Sequence, residues 1–183
     1  MCKFALQTYH LKMKKITYLF LLFTSLVAVA QTPQKKFTEW DTLDQTFLKV
    51  IQSLIKEDKQ AFLQLSLNSV DCPDCPEVDG FTKDGAYLPA DVFFFITSEF
   101  FTKSPIYKAL STRGYTFTSA TIKKYKAPAT GNIAKDTKVY DVWVDTYLPN
   151  QLAKGHKGTG HSFRFVKING KFKFIGLLAS ERN

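Results

Sequence analysis

Apolar residues recur every three or four positions along residues 37–55, at Phe37, Trp40, Leu43, Phe47, Val50, Ile51, Leu54 and Ile55. That spacing predicts an amphipathic helix with one face on a core. Asp41 and Asp44 stand near its start, where the helix dipole favours acids. Asp58 is placed to cap a second helix over residues 59–67, with Phe62 and Leu65 inward. Residues 68–88 keep neither the helix nor the strand period. They hold Cys72, Cys75 and the turn pairs Asp79-Gly80 and Asp84-Gly85, and predict an irregular segment with at most a short strand at Phe81-Thr82-Lys83. Pro89 opens a third helix over 90–102, apolar around most of its circumference and so buried on several sides. Ser104-Pro105 begins a short fourth helix that Gly114 ends.

Beyond Gly114 the period changes to two. Residues 115–125 predict one strand and 138–148 another, with Tyr140, Val142, Val144, Thr146 and Leu148 on one face and Asp141, Trp143, Asp145 and Tyr147 on the other. Residues 161–178 read as a hairpin, because Asn169-Gly170 is the preferred pair for a two-residue type I′ turn. The register that follows sets Ile168 against Lys171, Phe165 against Phe174 and Phe163 against Gly176. Phe163, Phe165, Phe172 and Phe174 then share one face and Arg164, Val166, Lys173 and Ile175 the other. Helices followed by a run of strands predict an α+β domain, with N-terminal helices packed on a curved antiparallel sheet.

The N-terminus has the pattern of an export signal. Met13-Lys14-Lys15 is a positive start, the apolar run that follows is about 14 residues long, and small residues precede a cleavage point after Ala30. A membrane-spanning helix needs roughly 20 apolar residues, so no stable anchor is expected once the signal is removed. Residues 1–12 read as an upstream extension with the start at Met13, residues 31–36 as a linker, and 37–183 as the domain. The Ala-Val-Ala-Gln ending resembles secretory signals of Bacteroidetes, and the expected location is periplasmic or secreted. The signal also changes the charge. The chain has 25 Lys and Arg against 16 Asp and Glu, a formal +9. Four of those cations and none of the acids lie in residues 1–30, which leaves 21 against 16, or +5. No run of Lys or Arg exceeds two and no helix shows a basic stripe, so nucleic acid is not an expected partner.

Candidate chemistry is sparse. Cys72 and Cys75 in an exported chain are expected to form a structural disulfide. A redox CxxC needs a helix after the first cysteine, and Pro76 follows here instead. Two thiols without a nearby histidine do not make a zinc site, and no metal or cofactor is expected. His156 and His161 lie among glycines and lysines, where an anion cradle is conceivable and a solvated hairpin loop is the expectation. Asp141 and Asp145 face the Arg164 and Lys173 side of the neighbouring strands, which suggests cross-strand ion pairs. Asp141, Trp143, Tyr147, Arg164 and Ile175 together form a candidate interface for a protein partner or a second copy. Phe93, Phe94, Phe163, Phe165, Phe172 and Phe174 are either core or the lining of an apolar ligand cavity, and stripes of this kind are usually core.

The order of elements completes the sequence picture. A long amphipathic helix, a second helix ending Ala-Phe-Leu-Gln-Leu, an irregular segment, a Phe-rich helix and a meander closing in Phe163-Arg-Phe-Val-Lys-Ile-Asn-Gly-Lys-Phe-Lys-Phe-Ile-Gly-Leu177 resemble the NTF2-like, or cystatin-like, superfamily of α+β cones. Within it the chain looks like an uncharacterised exported Bacteroidetes-type family. The superfamily includes dehydratases, isomerases and binding modules, and convex-face dimers are frequent in it. Its enzymes carry an Asp or an Asp/His pair inside the cone. No local motif here matches one, so no catalytic residue is assigned. The resemblance implies a non-enzymatic module that binds a small apolar ligand or a protein. The alternative is a small lyase or isomerase with an acid or histidine in an apolar cavity.

Overall fold

The computed structural model describes residues 37–75, 87–123, 125 and 136–181. The chain divides into the units Met1–Lys36 and Phe37–Asn183, and the second is described here. The expected signal, linker and Phe81 strand lie outside the described residues.

Thr38 starts helix α1, Glu39–Ile55, with a reciprocal cap. The Asp41 amide donates to Thr38 Oγ1 at 3.2 Å, and the Thr38 amide donates to Asp41 Oδ2 at 2.8 Å. Leu43, Phe47, Val50, Ile51 and Leu54 of its stripe are buried. Phe37 precedes the cap, so it leaves the helical stripe and stays 65% exposed. Helix α2, Lys59–Leu65, is capped by Asp58, whose Oδ1 accepts from the Ala61 amide at 2.9 Å.

Here the chain departs from the sequence expectation. Helix α2 stops two residues early and strand β1, Ser66–Asp71, follows at once. It pairs antiparallel with β2, Tyr87–Pro89, and parallel with a strand from the far end of the chain. That pairing joins residues more than a hundred positions apart, so no local period announces it.

Helix α3 spans Ala90–Ser98 rather than 90–102, and a single 3-10 turn at Phe101–Lys103 takes up the remainder. Ser104 caps α4, Pro105–Arg113, by accepting from the Tyr107 amide at 3.1 Å. Gly114 ends it at φ +76°. Strands β3 (Thr116–Lys123), β4 (Asp136–Tyr147), β5 (Thr159–Ile168) and β6 (Lys171–Glu181) complete a six-stranded sheet in the order β2-β1-β6-β5-β4-β3. The molecule is thus α+β, with four α-helices and a mostly antiparallel sheet among the described residues. Among the described residues the one parallel pair is β1 with β6.

Asn169 and Gly170 both take positive φ, and the expected hairpin register holds from Ile168–Lys171 to Phe165–Phe174. It then slips. Arg164 faces Gly176, and Phe163 faces Leu177 rather than Gly176. A bulge at Ile175 produces the slip, because two residues of β6 answer one step of β5. Leu177 therefore packs on the side that Phe172 and Phe174 occupy.

The main core lies between the helices and that face. Phe47 meets Phe163 edge-on at 5.3 Å between ring centres, and Phe62 stacks on Phe93 at 5.8 Å and meets Phe174 at 5.7 Å. The opposite face of the sheet carries a second, smaller cluster of Val139, Val166 and Ile175, flanked by Leu67, Ile122, Tyr125 and Ile168.

Candidate functional site

A cavity of ≈ 260 Å³ opens where α3, the 3-10 turn and the start of α4 pass over the C-terminal half of β6. Ile96, Phe100, Phe101, Ile106 and Leu177 give it apolar walls. Its polar groups are few. Ser104 and Thr97 lie on the helical side, His161 on the sheet, and the Cys72–Cys75 loop with Asp74 forms an edge. A small number of polar groups in an apolar hollow is the usual constitution of a small-molecule site.

Local geometry fixes each of these groups. Cys72 and Cys75 form a disulfide with their Cα atoms 5.3 Å apart, as the sequence anticipated. The bridge closes a tight turn in which the Cys75 amide donates to the Cys72 carbonyl at 3.2 Å. Asp74, between them, accepts from the Ala179 amide of β6 at 3.3 Å. The loop is therefore tied to the strand that floors the cavity.

His161 stands on β5 opposite Ala179. Its Nδ1 lies 2.7 Å from the Thr146 hydroxyl, which leaves Nε2 as the nitrogen it can offer to the cavity. Burial pulls the His161 pKa below its usual 6.5, and the charge of Asp74 opposes that shift. The imidazole is consequently neutral at pH 7.

The sign of the resulting pH effect follows directly. With the folded pKa depressed, the unfolded chain binds more protons just below pH 6.5, so this group adds stability as pH rises through that window and loses it as pH falls. An imidazole NMR titration is expected to place the His161 midpoint below 6.5, and H161Q is expected to remove that part of the stability slope. A midpoint at or above 6.5 would contradict the buried setting.

The six phenylalanines considered as cavity lining do not line this cavity. Phe93, Phe94, Phe163, Phe165, Phe172 and Phe174 are all buried in the main core, ring against ring. Cone space that such residues would have lined is filled by their own side chains.

The candidate interface is also corrected in part. Ile175 is fully buried in the second cluster, and Asp141 is buried in an ion pair with Arg164. Trp143 and Tyr147 are half-buried, and the indole N–H of Trp143 donates to Thr118 Oγ1 at 3.0 Å. The five residues do not form one open apolar surface. The cross-strand pair is present: Asp141 and Arg164 are register partners, with Arg164 Nε donating to Asp141 Oδ1 at 2.9 Å. His156 accepts from the Gly158 amide at 2.9 Å and stays in the β4–β5 connection as expected, whereas His161 is on a strand and belongs to the cavity.

Sequence reasoning missed Asp74, His161 and Leu177 as one site. The signal for His161 was its odd-even position in a strand that begins at Thr159. The glycines around it argued for a loop instead.

Breaking the bridge isolates its role. A loop of this size contributes about 2 kcal/mol by chain entropy. The double variant C72S/C75S is expected to lose about that much in urea denaturation while keeping the native sheet by circular dichroism. A loss near zero would mean that the loop holds its shape without the bridge.

No family model matches the chain, and no curated protein matches it. Solved structures do. An NTF2-like protein from Cytophaga hutchinsonii is similar at 11% identity, covering 80% of this chain and 100% of that one, with a TM-score of 0.37. An uncharacterised protein with a cystatin-like fold from Caulobacter vibrioides is similar at 13% identity over 79% of this chain and 89% of that one, TM-score 0.37. A hexachlorocyclohexane dehydrochlorinase from Novosphingobium barchaimii is similar at 7% identity over 78% and 85%, TM-score 0.32. At these identities and scores the likenesses stand as similarity alone. They carry no activity to this chain, since one architecture hosts many.

Proposed function

We propose that this chain is a binding module for a small, largely apolar molecule, and that the cavity beside the Cys72–Cys75 loop is its site. The observation that carries this is the concentration of half-buried apolar wall around two convergent polar groups, His161 and Asp74. At the roughly 30 Å³ that a water occupies in the liquid, the volume corresponds to about nine waters, the scale of a single-ring compound. We further propose that it works outside the cytoplasm. The support is the disulfide, which persists where thiols are oxidised, together with the signal pattern of residues 13–30.

Binding is tested by titrating phenethyl alcohol into the oxidised protein and following amide shifts. The largest shifts are expected at His161, Leu177 and Ala179. A179W, a change at an exposed rim position, is expected to remove them and leave the melting temperature within a few degrees. Shifts scattered over the surface, or unaffected by A179W, would sink the assignment.

A second reading has one observation in its favour. A neutral imidazole next to a carboxylate at the edge of an apolar cavity can take a proton from a substrate, as a lyase or isomerase requires. Loss of turnover with retained binding in H161Q would select that reading over a pure binding module.

A further inference from the structure

We propose that the cavity selects small apolar amines, and that Asp74 is the residue that recognises their ammonium group. The inference rests on the cavity being a binding site, and it adds the class of ligand.

The first support is charge placement. The chain has 25 Lys and Arg against 16 Asp and Glu, yet among the described residues Asp74 is the one charged side chain lining this cavity. Cations stand close by but face elsewhere. Lys103, Lys108 and Arg113 line a neighbouring groove on the far side of Ser104. The Arg113 guanidinium is spent there on main-chain carbonyls, at 2.6 Å from Asp145 O and 2.8 Å from Thr146 O. Among the described residues, an anion entering the cavity would meet a carboxylate and no lining cation.

The second support is that Asp74 is fixed in place. It is held between the two bridged cysteines and by the Ala179 amide, so its carboxylate loses little freedom when it takes a partner. Asp74 is exposed to solvent, which sets the scale of the effect at that of a surface ion pair. The third support is the composition of the wall. Phe100 and Phe101 present aromatic rings to the same space, and ring faces attract cations. The His161 imidazole, neutral at pH 7, adds a hydrogen-bond partner without adding repulsion.

The test compares phenethylamine, phenethyl alcohol and phenylacetate, which share one apolar body and differ in charge. They are titrated into the oxidised protein at neutral pH and low salt, with amide shifts as the readout. The amine is expected to bind about fivefold tighter than the alcohol, and the carboxylate more weakly than either. In D74N, which keeps an acceptor for the Ala179 amide, the amine is expected to fall to the affinity of the alcohol while the alcohol itself changes less than about twofold. Equal affinities, tighter phenylacetate, or an amine preference that survives D74N would overturn the ligand class and leave the binding site standing. Failure of all three probes to shift His161, Leu177 and Ala179 would overturn the site itself.

Discussion

Gly176→Ala will destabilise this protein by about 3 kcal/mol, a cost set by backbone overlap rather than by conformation. At Gly176 the β6 main chain passes directly against β1. An added Cβ would overlap the Asp71 carbonyl oxygen and sit 2.8 Å from Asp71 Cβ. The obstructing atoms are backbone and the first side-chain atom, which cannot rotate away. The strands must therefore part, and the β1–β6 register with them. Gly170→Ala is the natural control. That position has open space around it and a φ of +78°, so its cost is the left-handed penalty of about 1 kcal/mol. Urea denaturation of the two variants separates the causes. Equal losses would mean that the two strands are not in close contact at Asp71. Because β1 runs directly into the Cys72–Cys75 loop, G176A is also expected to weaken ligand binding, whereas G170A is not.

Asp141→Ala is the second large effect, at about 3 kcal/mol. The Asp141 carboxylate accepts from Ser162 Oγ at 2.5 Å and from Arg164 Nε at 2.9 Å. The side chains of the ion pair are only 19% and 11% exposed, and Ser162 is fully buried. Removing the acid leaves a half-buried guanidinium and a buried hydroxyl without their acceptor, and that desolvation is the larger part of the loss. The double variant D141A/R164M is expected to be more stable than D141A alone, because it removes the stranded charge. A double-mutant cycle measures this coupling directly. Additive single losses would show that solvent already reaches Arg164 and that the pair contributes little.

These two variants act first on stability, and of the two only G176A is expected to reach the cavity, through β1. Neither residue lines the cavity, and both lie on the sheet that positions it. The bridge variants and H161Q act on the site itself, so stability and binding can be followed apart.

Elements governed by neighbours in the chain were legible in advance. The apolar stripe of α1, the Asp58 and Ser104 caps, the Gly114 stop and the Asn169-Gly170 turn all depend on residues within a turn or two of one another. The caps, the stop and the turn formed as expected, and the stripe buried Leu43, Phe47, Val50, Ile51 and Leu54 while Phe37, Trp40 and Ile55 stayed exposed. The faces of β4 as far as Asp145 followed as well, and alternation along each strand put Asp141 and Arg164 on the same side of the sheet, where they pair. The disulfide joins two cysteines three positions apart, so it too was local.

What the tertiary structure alone decided begins with β1. Its pairing with β6 spans most of the chain, and it is this contact that requires a glycine at 176. The bulge beside that glycine shifts the second half of the hairpin by one residue. Through that shift Leu177 turns toward the cavity, while Ile175 stays on the face of the second cluster. Six phenylalanines that the sequence left as core or cavity wall are core because helices and sheet close fully over them, a question of volume that no pattern along the chain encodes. The site formed instead at the edge of that core. There a bridged loop, the end of a helix and two strand ends meet across more than a hundred residues of sequence. Local chemistry determined the elements, and long-range packing determined where they left a hollow.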